Sequence, residues 1–476
     1  MKALAQRLWH SPTFTTWGSM GARLFGVTLV LPLVLVKFPA ADIAVWQLFA
    51  TILTLQLILD FGLSPTFSRM LSYALGGAKV EDLQAMAQIK RADQTEPDIQ
   101  TVRAVYGTLQ WLYTRFGVAI LVATAALGTW AINKPVSQMA SPEQGWMAWG
   151  IVLLTSLAAI WTNAYASAIQ GFNQIANLRR WEILTALGQI TCSFVVLSMG
   201  GGLLLLVCTT QAWVVFNMWR NRKLVLHIEP RLRDCPHQQN PTVLAALWPV
   251  TWRSGVGILM SQGIIQVSGV IYGQLASAAE VASYLLALRV ITTISQFSQA
   301  PFYSKLPSMT ILYAQQNFGE QTRLARKGMA MASWVFTLGT MGVALTIAPA
   351  LAFIGSKVHF VTPTLWCLMS LAFFVERVGA MHIQLYSITN HIVWHIANGI
   401  TGCIMLALAY GLYPLQGIAA FPIAMLVAYG LFYTVFAMYK TTTTYKLSLL
   451  KFESGASLPP AIAQLLVMGG LLISQH

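Results

Sequence analysis

The chain has 476 residues, of which 56% are hydrophobic and only 9% charged, and its mean hydropathy is +0.62. Soluble globular chains carry about 25% charged residues, so a water-soluble enzyme with a polar shell is excluded, as is disorder. What remains is a polytopic membrane protein, provided that the apolar residues come in runs of about 20, enough to cross a bilayer.

They do. In chain order the runs fall at 13–36, 43–67, 105–132, 146–169, 182–200, 203–219, 247–273, 280–304, 329–354, 361–389, 394–413 and 417–437. A further run at 458–474 follows Lys440, Lys446 and Lys451 and carries a double proline and Gly469-Gly470. It reads either as a thirteenth span or as a helix lying in the interface. The sequence therefore predicts an all-α polytopic membrane protein with about 12 transmembrane helices, or 13 if the last run crosses.

Net charge is +14, from 29 Lys+Arg against 15 Asp+Glu. The positive-inside rule accounts for the excess. With the N-terminus inside, the cytoplasmic loops hold Lys79, Lys90, Arg91 and Arg103, then Arg179 and Arg180, then Arg220, Arg222, Lys223, Arg231 and Arg233. Later ones hold Arg323, Arg326 and Lys327, then Lys440, Lys446 and Lys451, whereas the opposite side has only Lys37, Lys134 and Lys357. The excess calls for no nucleic-acid partner. The first apolar run is too long for a signal h-region and lacks a convincing cleavage site, so it is expected to stay. Cys192, Cys208, Cys235, Cys367 and Cys403 show no paired spacing, and no disulfide or zinc framework is implied.

An internal repeat is visible. Ser64-Pro65-Thr66-Phe67-Ser68-Arg69-Met70 ends the second run, and Ala300-Pro301-Phe302-Tyr303-Ser304-Lys305-Leu306 ends the eighth. Upstream, Ala41-Asp42-Ile43-Ala44 matches Ala279-Glu280-Val281-Ala282, and Trp17-Gly18-Ser19 matches Trp252-Arg253-Ser254. A repeat of six spans keeps the same orientation in both copies, giving two six-helix bundles related by a pseudo-two-fold axis along the membrane normal. The expected division is an N-terminal lobe at 1–220, a cytoplasmic linker at 221–244, a C-terminal lobe at 245–440 and a tail at 441–476. A substrate path is expected between the lobes. The polar segment at 76–103 reads as a solvated cytoplasmic helix or loop.

Charge inside a span is costly unless it faces a wet cavity or a partner, which makes such residues functional candidates. The cations are Arg23, Arg115, Arg253, Arg289 and Arg377, with Arg69 and Lys305 at the cytoplasmic mouth. The acids are Asp60 and Glu376, with Glu182 at the start of the fifth run. Arginine stays charged and grips phosphate and carboxylate in bidentate fashion, so the five arginines suit an anionic cargo such as a pyrophosphate. Any one of them could instead pair with an acid, cap carbonyls or snorkel, but the acids are too few to pair all five. Asp60 and Glu376 are candidates for binding a coupling proton or cation, or counter-ions for the arginines, with the second reading preferred. Glu376 and Arg377, adjacent and about 100° apart on a helix, are expected not to face each other.

His391 and His395 at i,i+4, His382 nearby, and Cys235-Pro236-His237 read as loop or interface residues, not as a metal site. No Walker A sequence or nucleophile motif stands out, and no cofactor is expected. Trp46, Trp130, Trp146, Trp219, Trp248 and Trp366 read as an interfacial belt. Trp17, Trp111, Trp161 and Trp252 lie deeper, where they could touch a glycan. Pro32, Pro65, Pro301 and Pro422 offer kinks for gating.

Asp60-Phe61-Gly62-Leu63 followed by Arg69 resembles the pattern that ends the second span of Wzx-type polysaccharide flippases, in the multidrug/oligosaccharidyl-lipid/polysaccharide exporter superfamily. Gln170-Gly171-Phe172-Asn173 followed by Asn177 resembles their pattern between spans 4 and 5, although the usual arginine is absent at position 173. The resemblance covers the whole chain in layout, with its specific motifs in the first half. It implies two bundles working by alternating access. It also implies export of a polyprenyl-pyrophosphate-linked oligosaccharide for O-antigen, capsule or exopolysaccharide synthesis. The setting would be the bacterial inner membrane, with membrane lipids and polysaccharide polymerase and assembly proteins as partners. Asp60 and Arg69 carry over as landmarks of the cytoplasmic mouth, and proton or sodium coupling stays open. The competing readings are a drug/cation antiporter of the same superfamily, which predicts an acid cluster that is absent, and a membrane-embedded enzyme, for which the loops are short.

Overall fold

The computed structural model describes residues 12–58, 60, 63–85, 98–389 and 393–473, and every regular element among them is helical. Nine helices among the described residues are long and apolar enough to cross a membrane, by length and composition. The last of these, Trp394–Tyr445, folds back on itself at Gly417, whose φ of +53° makes the turn, so it supplies two crossings. Contacts divide the chain into two units, Met1–Gly255 with Gly273–Ala278, and Val256–Tyr272 with Ala279–His476.

The first unit contains α1 (Pro12–Lys37), α2 (Ala40–Ile58), α3 (Leu63–Leu75), α4 (Ile99–Ser137), α5 (Pro142–Gly171), α6 (Ile175–Ser198), α7 (Leu203–Ile228) and the larger part of α8 (Pro241–Ile258). The pairs α5–α7, α1–α6, α4–α5, α3–α5 and α2–α4 pack together. At 39 residues, α4 is about 58 Å long at 1.5 Å per residue, nearly twice the hydrocarbon thickness. Its first turns therefore reach into water, and there Asp98 caps it, accepting from Gln100 N at 3.0 Å.

Two sequence expectations need correction in this unit. The second run is not one unbroken helix: Asp60 lies in a turn between α2, described to Ile58, and α3, described from Leu63. Asp60 stabilises the restart by accepting from Ser64 N at 3.0 Å, an N-cap interaction that substitutes for the missing helical bond. The cations Arg220, Arg222 and Lys223 lie in α7, not in a loop, since the helix runs on to Ile228. The linker after α7 is strapped to α4: Arg103 Nη2 donates to Asp234 O at 3.2 Å, and Asn240 N donates to Thr108 Oγ1 at 2.9 Å. Next to it, Glu229 pairs with Arg231 at 2.7 Å, and this contact holds the Glu229 carboxyl below its ordinary value. In the 76–103 segment a short 3₁₀ turn spans Val80–Ala85, and residues 86–97 lie outside the described set.

The second unit continues through a π-helical turn at Leu259–Gly263 into α9 (Ile264–Leu275). It then holds α10 (Ala278–Ser298), α11 (Ala300–Tyr303), α12 (Leu306–Ala314), α13 (Phe318–Phe353) and α14 (Pro363–Ser387). Next come α15 (Trp394–Gln416), α16 (Ala420–Ala428), a π turn at Tyr429–Tyr433 and α17 (Thr434–Tyr445). Asn317 and Thr362 cap α13 and α14. The repeated motif follows a turn at Asp60 in the first unit, whereas in the second the backbone stays helical through Gln299 and the span runs on to Tyr303.

The tail is built into the second unit. After α18 (Leu449–Glu453), α19 (Leu458–Ile473) runs along α13 and α14, with Thr337 Oγ1 donating to Gln464 Oε1 at 3.2 Å and Cys367 Sγ 3.4 Å from Met468 Sδ. This 16-residue helix packs against two spans and is shorter than the nine span-length helices. Its other face, with Ile462, Leu465 and Leu466, is exposed and apolar, as lipid contact requires.

His382 anchors this tail. It is fully buried in α14 and bonds Glu453 at 2.8 Å, and Ser457 donates to the other carboxylate oxygen. The expectation that His382 is a loop or interface residue is thereby corrected; His391 lies outside the described residues. Trp366, expected in the belt, is likewise buried and donates to Thr340 O at 3.2 Å. Burial raises the Glu453 carboxyl, but His382 and Ser457 together outweigh it and leave the group below its ordinary 4.5. A depressed carboxylate contributes stability above its unfolded pKa and loses it as pH falls through the folded value. Tail docking is therefore predicted to persist at neutral pH and to fail below the ordinary carboxylate range. Glu453→Ala, which strands a buried histidine, should cost about 3 kcal/mol and open the segment after Tyr445 to limited proteolysis at pH 7.

Candidate functional site

Each unit contains one polar cluster built around an intramembrane carboxylate. In the first unit this is Asp60, at the break between α2 and α3. Tyr113 of α4 donates to Asp60 Oδ1, Ser64 N donates to Oδ2, and Ser64 Oγ lies 3.0 Å from Tyr113 Oη. Among the described residues these partners are neutral, a backbone N–H and a phenol donating to the carboxylate. A small void of about 10 Å³ adjoins it, bounded by Gln56, Asp60, Tyr113 and Asn163 and walled by Phe116, Ile120 and Ile160. That is room for about one water molecule. Gln56 Nε2 donates to Ser156 O at 2.9 Å, while its buried Oε1 has no partner.

The two resemblance motifs meet just beside this cluster. Ser72 Oγ donates to Gly171 O at 3.0 Å, and a Cβ at Gly171 would lie 2.7 Å from Leu71 Cβ and 3.0 Å from Ser68 O. Only glycine permits α5 to end this close to α3. Asn173, at φ +57°, then turns the chain into α6; asparagine tolerates this left-handed conformation better than most residues.

The predicted arginines of the first unit have varied surroundings. Arg23 lies on α1, and its side chain is outside the described set. Arg115 is exposed on α4, its guanidinium 4.8 Å from the centre of the Trp111 ring. Arg253 is exposed on α8, 5.7 Å from the Trp252 ring. Both therefore lie over aromatic faces in cation–π fashion, and their donor edges stay open to an anion. Arg69 is exposed on α3.

In the second unit α14 and α10 converge on Arg377, which is 4% exposed. Its Nη2 donates to Ser295 Oγ at 2.5 Å and to Glu376 Oε2 at 3.2 Å. With its amide turned so that the oxygen faces the guanidinium, Gln299 accepts from Nη1 at 3.3 Å and Nη2 at 3.2 Å. The expectation that Glu376 and Arg377 do not face each other fails, because both side chains are long enough to fold round the helix and meet. Tyr303, Tyr429 and Tyr433 surround this pair. The π turn brings the Tyr429 and Tyr433 rings to 5.6 Å, and Thr434 Oγ1 ties it to α14 by donating to Val375 O at 2.8 Å. Such bulges are frequent at functional sites. Arg289 is partly buried on α10, and Lys305 Nζ lies 3.9 Å from Met331 Sδ.

No family model matches the sequence, and no curated protein matches it. Solved structures do match. An inward-facing multidrug resistance MATE family transporter of the MOP superfamily aligns with 90% of this chain and 95% of its own, at TM-score 0.66 and 12% identity. The lipid II flippase MurJ, in an inward closed conformation, aligns over 97% of both chains at TM-score 0.62 and 10% identity. A MOP superfamily transporter from Pyrococcus furiosus, described as having a binding pocket of reverse polarity, aligns with 93% of this chain and 98% of its own at TM-score 0.57 and 12% identity. The chain shares the fold of these structures.

Sequence reasoning missed Arg220, which is 6% exposed on α7 and was assigned to a loop; the flanking Trp219 at the end of an apolar run was the available signal. It also missed that Arg377 is tied down internally, which no spacing rule reveals. Arg377→Met is predicted to strand Glu376 and cost about 3 kcal/mol, and adding Glu376→Gln should recover part of that loss in detergent unfolding curves. For Asp60→Asn and Tyr113→Phe, a double-mutant cycle should show non-additivity of about 0.5–3 kcal/mol.

Proposed function

We propose that the chain is a flippase that moves an anionic, polyprenyl-pyrophosphate-linked oligosaccharide across a bacterial inner membrane by alternating access, for surface polysaccharide synthesis. The observation that carries this reading is the charge balance of the membrane interior. Of the two intramembrane acids, Glu376 is already engaged by Arg377. Arg115 and Arg253 instead expose guanidinium groups laid over tryptophan rings. Such groups are suited to pyrophosphate or acidic sugars. Arg23 and Arg289 belong to the same proposed set. Arg377, held by Ser295, Glu376 and Gln299, would fix the geometry of its surroundings and meet cargo through the remainder of its fork. Likeness in fold to a lipid II flippase supports the cargo class, and the Wzx-like motifs around Asp60 and Gly171 narrow it towards polysaccharide precursors.

A second reading is a drug/cation antiporter, as the multidrug MATE neighbours are described. Asp60, a carboxylate with neutral partners, favours it, because such a group could take up a proton or a cation in exchange. A cationic cargo, however, would have to pass the exposed arginines.

Single alanine substitutions at Arg23, Arg115, Arg253 and Arg289 separate the two readings. Losing one charge-assisted contact of about 1.5–3 kcal/mol should lower surface glycan roughly tenfold or more at unchanged expression. Normal glycan in all four, together with impaired dye export, would favour the antiporter.

A further inference from the structure

We infer that the basic ends of α6 and α7 form a binding site for the phosphate headgroup of an anionic phospholipid, separate from any cargo site. The seam between these antiparallel helices is set by two contacts one heptad apart. Trp213 of α7 packs on Gly188 of α6, where a Cβ would lie 2.3 Å from the indole, and seven residues on, the Arg220 guanidinium faces the Trp181 ring at 5.6 Å.

The outer face of the pair is a lipid face, with Leu184, Leu187, Leu205 and Val215 exposed. Trp181 and Trp219, also exposed at 37% and 50%, place the Arg220 level at the membrane–water interface, where phosphates lie. Cations gather at this level. Arg179 starts the second turn of α6, Arg220 lies in the seam, and Lys223 Nζ sits 4.0 Å from the centre of the Trp219 ring.

The donors at this level exceed the acceptors. Arg220 Nη2 donates to Asn217 Oδ1 at 2.6 Å, but its Nε and Nη1 are buried without a partner, as is Arg179 Nε. The acid at this level, Glu182, accepts from Arg179 Nη1 at 2.8 Å. Unpaired buried donors cost about 1–3 kcal/mol each, more when charged, and a phosphate oxygen entering from the headgroup layer would satisfy them. Basic pockets between spans are a recurrent way of holding anionic headgroups.

The test uses the full-length chain, delipidated in detergent and titrated with phosphatidylglycerol, phosphatidylcholine or inorganic phosphate, with bound lipid counted by native mass spectrometry. Phosphatidylglycerol should bind about tenfold tighter than phosphatidylcholine, and inorganic phosphate at matched concentration should not displace it. Arg220→Gln should remove the preference, and Arg323→Gln, on a different helix, should keep it. If Arg220→Gln fails to fold, Arg179→Gln with Lys223→Gln should weaken phosphatidylglycerol binding about tenfold. Equal binding of the two lipids, or a preference that survives both sets of variants, overturns the site. Displacement by inorganic phosphate would reassign it to a soluble anion and overturn the lipid.

Discussion

A charge placed in hydrocarbon must be paired, hydrated or shared with neighbours, at a cost of about 2.5–3.5 kcal/mol even on the most lenient scales. This constraint organises the structure more than any single packing contact. The apolar runs supply helices, but what distinguishes one helix from another is how each deals with its few polar groups. The second run breaks at Asp60 so that a backbone N–H and a tyrosine can satisfy the carboxylate. The fourteenth helix, with α10, builds a four-residue network round Arg377. The exposed arginines of α4 and α8 lie over tryptophan rings. Asp60 is met by neutral donors and the exposed arginines by aromatic rings, whereas Arg377 is shared between Glu376 and neutral side chains.

Helix irregularity follows from the same constraint. The π turns at Leu259–Gly263 and Tyr429–Tyr433, and the turn at Asp60, interrupt regular helical bonding, which a membrane tolerates only where protein or a wet cavity surrounds the chain. The turn at Asp60 belongs to the first polar cluster, and the π turn at Tyr429–Tyr433 adjoins the Glu376–Arg377 pair. The tail obeys the same logic: Glu453 can enter the second unit only because His382 and Ser457 receive it.

Much of this was legible in the sequence. Apolar runs of span length and alternating basic loops fixed the helix class and order, because both signals are one-dimensional. The repeat around Pro65 and Pro301 marked the ends of the second and eighth runs without revealing the turn at Asp60. What stayed hidden needed side-chain geometry. Residue spacing placed Glu376 and Arg377 on different faces, but two long side chains reach round a helix. His382 looked like a loop residue, since nothing nearby announces that Glu453, 71 positions later, returns to it. Arg220 was lost to the linker because helix α7 continues beyond its apolar portion.

The central claim is that the membrane interior is arranged for an anionic cargo. It is tested most directly by a binding titration of the purified protein, followed by intrinsic tryptophan fluorescence. A polyprenyl-pyrophosphate oligosaccharide would be the ligand and a cationic dye the comparator, each at low and high salt. The account predicts that the pyrophosphate lipid binds and that its affinity falls with salt, because accessible charge contacts are screened. Binding of the dye alone, or pyrophosphate-lipid binding indifferent to salt, would contradict it.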